Sequence, residues 1–102
     1  MRHLFLAILL LIPVTAFSQH SHAPAREAAP VVLEEGLGNI NHPVSTSNAE
    51  AHKFFNQGLS YLYGFNHEEA IRSFKQAAQL DPNMAMAYWG IAYALGPHVN
   101  KP

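Results

Sequence analysis

The feature that most constrains this chain is a set of three apolar stripes at helical spacing between residues 47 and 95, two of them in the same register one fixed interval apart. Ser47 with Glu50 forms a capping box, in which each side chain serves an exposed backbone N–H of the first turn. Ala51, Phe54, Phe55, Gly58, Leu59 and Leu62 then recur on one face. Gly64 is the expected stop, since glycine takes a left-handed backbone at little cost. Asn66 with Glu69 opens a second stripe, Ala70, Ile71, Phe74, Ala77 and Ala78, which runs to Leu80. Asp81 is the expected cap of a third helix, with Pro82 at its first position. Met84, Ala85, Tyr88, Trp89, Ile91, Ala92 and Leu95 follow, and Gly96-Pro97 ends the pattern. Sustained period-two alternation is missing, so the expected fold is all-α, with three helices of about four turns each.

The first and third stripes are related. Phe54 and Tyr88, Gly58 and Ala92, and Tyr61 and Leu95 each lie 34 residues apart. A fixed period of this length is the sign of stacked helix pairs. Gly58 and Ala70 allow two helices to approach, Tyr61 and Phe74 fill the space between them, and Pro82 turns the chain into the next unit.

Phe54, Gly58, Tyr61, Ala70, Phe74, Ala77 and Pro82 stand at seven of the eight signature positions of the tetratricopeptide repeat, and the chain resembles that family. Gln57 is the departure, where the pattern has a large aliphatic residue. The resemblance covers residues 51–84 as a full repeat and 85–95 as the first helix of another, within a helical region of 47–95. Tyr63-Gly64-Phe65-Asn66-His67-Glu68-Glu69-Ala70, Ala85-Met86-Ala87-Tyr88-Trp89-Gly90 and Ala94-Leu95-Gly96-Pro97 resemble the N-terminal part of larger exported bacterial repeat proteins. That likeness implies further repeats beyond a tail at 96–102, and hence an N-terminal fragment of a longer solenoid. It also implies a concave groove lined by first helices. In the family register the groove residues are His52, Phe55, Asn56, Leu59, Leu62 and Tyr63, then Met86, Trp89 and Tyr93. Relatives that grip a peptide carboxylate use Lys, Arg and Asn there, and only Asn56 matches. An apolar groove of this kind suits a hydrophobic peptide, an adjacent segment of the same polypeptide, or ordinary packing within a solenoid.

The N-terminal part reads differently. Met1-Arg2-His3 precedes an apolar run from Leu4 to Ile12, then Pro13 and small residues up to Ser18. That run is too short for a spanning helix of about 20 residues and fits a secretory signal peptide at 1–18. The mature chain would begin at Gln19, or at Phe17 with cleavage after Ala16, be periplasmic or secreted, and retain no membrane anchor; the alternative is that the segment stays uncleaved as an anchor. Residues 19–46, with Pro24, Pro30, Pro43, Gly36 and Gly38, read as a disordered or extended linker, with a short strand or turn near 31–35 as the only local signal.

Composition narrows the chemistry. A net charge of −1 lacks the basic patch that nucleic acid requires. With no cysteine, disulfides, thiolate metal sites and Cys nucleophiles are excluded. No catalytic motif appears: Ser60 and Ser73 lack a base placed by the pattern, and Glu68 and Glu69 diverge around the helix. Position 71 is isoleucine, so His67-Glu68-Glu69 is not a zinc-protease helix. His20 and His22, beside a new N-terminal amine, could bind Cu(II) or Zn(II), but two imidazoles are an incomplete ligand set. The sequence therefore leads to an exported, non-enzymatic scaffold that binds a protein or peptide without a cofactor. The alternatives are a structural N-terminal cap for downstream activity and a His-based metal carrier.

Overall fold

The computed structural model describes residues 29–99; the expected signal segment and the candidate ligands His20 and His22 lie outside that range. The described chain is all-α, with α1 at Ala49–Tyr63, α2 at His67–Leu80 and α3 at Ala85–Leu95. Each element begins and ends for a local reason, and three of these reasons differ from the expected ones.

Helix α1 is capped by Asn48 rather than Ser47. The Asn48 carboxamide oxygen accepts from the N–H groups of Glu50 and Ala51, both at 3.0 Å. Its Nδ2 also donates to the Leu80 carbonyl at the end of α2. One side chain thus serves the start of one helix and the end of the other, which sets the pair antiparallel. Asparagine reaches both because it carries a donor and an acceptor, whereas a serine hydroxyl is too short.

The stop after α1 uses Phe65 in the left-handed region, with φ 60°, while Gly64 stays at φ −81°. The Phe65 N–H donates to the Leu62 carbonyl and the Asn66 N–H to the Tyr61 carbonyl. That bond pair is a Schellman motif with phenylalanine at the position glycine usually holds. Asn66 then caps α2 through the Glu69 N–H.

Asp81 closes α2 instead of opening α3. Its N–H donates to Ala77, its carboxylate accepts from the Asn83 N–H, and its carbonyl accepts from Met84. This turn delays α3 to Ala85, whose preceding residue, Met84, makes no side-chain cap. Pro82 therefore lies in the turn and not in the helix.

Phe74 is the centre of the core. It is fully buried, 5.5 Å from the Phe55 ring centroid. A Cβ added to Gly58 would stand 2.5 Å from this ring, and one added to Gly90 would stand 2.7 Å from it. Phe74 of α2 is thus held between bare backbone of α1 and of α3, an approach only glycine permits. Ala51, Ala70, Ala77, Ala87 and Met84 complete the packing.

Residues 29–48 form no helix or strand, yet they are laid along the helices as a strap. Val31, Ile40 and Val44 pack against the core. Gly36 and Gly38 turn the strap with φ of 81° and 88°. The sequence reading expected a disordered or extended linker here. The strap is extended and in contact, because side-chain amides of α1 bind its backbone where apolar periodicity is absent.

Candidate functional site

The strap decides which expected groove residues are accessible. Gln57 is buried; its Nε2 donates to the Val32 carbonyl at 2.9 Å and to the Ser73 hydroxyl, while its Oε1 accepts from the Glu34 N–H at 2.8 Å. A carboxamide offers both a donor and an acceptor to backbone groups, so Gln57, the departure from the signature pattern, binds the strap on both sides of Leu33. On another face of α1, Asn56 Oδ1 accepts from the His42 N–H, and His52 Nε2 lies 2.7 Å from the His42 carbonyl. The His42 ring lies 6.2 Å from that of Phe55. Further along, Arg72 forms an ion pair with Glu69 and donates to the Ala29 carbonyl at 2.7 Å. Thr46 donates to Asp81.

The nine groove candidates therefore divide. Phe55, Leu59 and Leu62 are buried, and His52 and Asn56 are engaged by the strap. Met86 is half-buried against the core. Tyr63, Trp89 and Tyr93 remain open, at 66%, 43% and 61% exposure. Of the signature residues, Phe54, Gly58, Ala70, Phe74 and Ala77 are buried, Tyr61 is half-buried, and Pro82 is exposed.

The three open aromatics converge on one cavity of about 800 Å³ between the end of α1 and α3. Leu62, Tyr63, Phe65 and His67 form one wall; Trp89, Ala92 and Tyr93 form the other; Gly96, Pro97, His98 and Val99 close the end. The turn after α1 places Phe65 in this wall, since its left-handed backbone turns the chain before α2. The Trp89 and Tyr93 rings are one helical turn apart and 5.3 Å between centroids. His67 and His98 stack at 3.6 Å with an interplanar angle of 4°, joining the tail after α3 to the first turn of α2. The His67 ring also lies against the Phe65 carbonyl through Nδ1.

Among the described residues, no Asp, Glu, Lys or Arg lines this cavity. Its walls offer apolar rings edged by tyrosine hydroxyls and an indole N–H, a surface for apolar contact with a few directional hydrogen bonds. Among the described residues, no three of His, Cys, Asp and Glu come together as metal ligands. No described helix is long and apolar enough to cross a membrane.

Four features were missed from sequence: the strap, Gly90 beneath Phe74, Phe65 at the left-handed position, and the His67–His98 stack. Only the first had a visible signal, a glutamine at a position the repeat reserves for an aliphatic residue. No family model, curated protein or solved structure matches the chain.

Proposed function

We propose that the chain is an exported tetratricopeptide-type module that binds an apolar segment of a partner protein between Tyr63, Trp89 and Tyr93, without catalysis of its own. The observation that carries this reading is the aromatic cavity between α1 and α3, lined by no charged side chain among the described residues, the part of the expected groove that the strap leaves open. The 34-residue spacing, with Phe54, Gly58, Tyr61, Ala70, Phe74, Ala77 and Pro82 in register, supports the repeat assignment.

Trp89 is the chain's single tryptophan and lines the cavity, so its fluorescence reports on this part of the molecule. Titration of the chain with peptides rich in aromatic and aliphatic residues should shift its emission saturably. Tyr63→Ser should weaken that binding about tenfold, as loss of a buried aromatic contact does. A flat titration across apolar, acidic and basic peptides alike would remove the reading. For export, mass spectrometry of the chain recovered from a secreting host should give an N-terminus at Gln19, and recovery of intact Met1 in the cytoplasm would contradict it.

A second reading has its own observation. Gln57 and the strap cover part of α1, while Tyr88, Trp89, Tyr93 and Leu95 of α3 stay exposed among the described residues. This suits a structural N-terminal cap, in which the strap stands in for a preceding helix. If Gln57→Leu frees the strap and leaves peptide binding unchanged, the capping and binding roles are separate.

A further inference from the structure

The strap has two parts that are fastened differently. Residues 40–48 are anchored by Ile40 and Val44, by Asn56 and His52 at His42, and by Thr46 and Asn48 at the end of α2. Residues 29–35 are held by three hydrogen bonds and one half-buried side chain, Val31. Between the two parts stand Gly36 and Gly38, both with left-handed φ, where an added Cβ would meet nothing within 4 Å. That pair is a hinge in open space. All three hydrogen bonds end on main-chain atoms of the segment: Arg72 donates to the Ala29 carbonyl, and Gln57 donates to the Val32 carbonyl and accepts from the Glu34 N–H. The Val32 and Leu33 side chains lie exposed, at 60% and 43%. The helices thus read an extended backbone and one small aliphatic side chain. Both readers are oriented by helix partners and not by the strap. Gln57 Nε2 also donates to the buried Ser73 hydroxyl, and Arg72 donates to both carboxylate oxygens of Glu69.

We infer that residues 29–35 are a self-ligand, and that the surface of α1 and α2 beneath them takes an extended segment of a partner polypeptide in their place. The chain's own segment shows what that partner must offer. It carries a valine or a residue of similar size where Val31 sits, and a carbonyl and an N–H on either side of an outward side chain where Leu33 sits. Its remaining side chains go unread. Gln57, steadied by Ser73, and Arg72, steadied by Glu69, stay in place to receive it. Tethered through the hinge, residues 29–35 compete at an effective concentration of about 1 mM, so the site is autoinhibited. This inference goes beyond apolar binding between Tyr63, Trp89 and Tyr93, because neither Gln57 nor Arg72 lines that cavity.

The test uses the full-length chain with Gly36→Val and Gly38→Val together, which penalise the docked backbone and touch neither reader. Hydrogen exchange at Glu34 should accelerate about tenfold while helical circular dichroism holds. A labelled peptide with the sequence of residues 29–35 should bind this variant about tenfold more tightly than the parent chain, because its competitor is released. Peptides carrying Val32→Ala or Leu33→Ala should bind within about twofold of the original, and N-methylation at the Glu34 nitrogen should weaken binding about fivefold. Gln57→Leu added to the hinge variant should weaken it about tenfold or more. Gly38→Ala alone should give the same changes at smaller size, which keeps the test independent of any loss of helix in the double variant. Unaltered exchange at Glu34 overturns the hinge, and a released segment with no peptide binding at millimolar concentration overturns the site. Affinity that follows the Val32 and Leu33 side chains overturns backbone reading. Concentration-dependent dimerisation of the hinge variant makes a second copy the occupant and overturns the partner. Trp89 emission reports the aromatic cavity and the labelled peptide reports this site, so the failure of one reading is distinguishable from the failure of the other.

Discussion

Helices α1 and α3 carry similar residues 34 positions apart and meet opposite fates. Phe54 is 3% exposed and Tyr88, 34 residues on, is 50% exposed. Gly58 is buried and Ala92 is open; Tyr61 is half-buried, whereas Leu95 is 58% exposed. The residue types hardly differ. What differs is the neighbours: among the described residues α1 packs against α2 and the strap, whereas α3 packs mainly against α2 and touches α1 only lightly. Burial is a property of the pair of surfaces that meet, so a stripe can announce an apolar face without announcing its cover.

The largest test of this contrast lies where the two helices share a residue. Phe74→Ala should cost about 3–5 kcal/mol in denaturant unfolding, because it empties the space between Gly58 and Gly90 and loosens both helices at once. Gly58→Ala should cost about 1–3 kcal/mol by overpacking that ring, whereas the register-equivalent position 92 already carries alanine at no cost. Comparable stability of Gly58→Ala and the parent chain would show that the helices stand farther apart than described.

The closed side of α1 is tested next. Gln57→Leu places an aliphatic residue of similar size there, yet it should destabilise the chain by about 1–3 kcal/mol by leaving the Val32 carbonyl, the Glu34 N–H and the Ser73 hydroxyl short of partners. Hydrogen exchange at Glu34 should accelerate in step. At the equivalent position of α3, Ile91→Leu should cost less than about 1.5 kcal/mol, since that side chain meets a helix. A Gln57→Leu variant as stable as the parent would mean that the strap is held by its own apolar residues.

Smaller effects refine the helix ends. Asn48→Ala should cost about 1 kcal/mol in thermal unfolding and Ser47→Ala much less, a ranking that a Ser47 cap would reverse. Phe65→Gly should stabilise by roughly 0.5 kcal/mol, because it relieves the left-handed strain of an exposed side chain while adding unfolded-state freedom. A clear loss of stability there would show that the Phe65 ring is held by the cavity wall.

The three helices were legible because each needs only local information: a cap, a stripe at helical spacing and a stop. Their boundaries were less so. Ser47 and Asn48 are both good caps, and the choice fell to Asn48 because Leu80, 32 residues away, needed a donor. Gly64 and Phe65 compete for one turn, and the bond from Asn66 to Tyr61 placed the left-handed residue second. The groove was half legible. Its residue types were visible, but Phe55, Leu59 and Leu62 turned inward, while His52 and Asn56 took the backbone of His42. No periodicity reports a strap bound through its peptide groups, since such contacts are indifferent to side-chain pattern.

By itself, then, the sequence determined an all-α chain of three helices, their order, the faces α1 and α2 would bury and the 34-residue spacing that relates the first to the third. Those properties follow from dihedral preference and side-chain spacing, which act over a few residues. Only the tertiary structure decided that Gln57 would hold residues 32 and 34, that Phe74 would lie between two glycines, and that Tyr63, Trp89 and Tyr93 would be left to form a cavity. Those outcomes depend on which surfaces reach each other, and contact between distant segments is set by the packing of the whole chain.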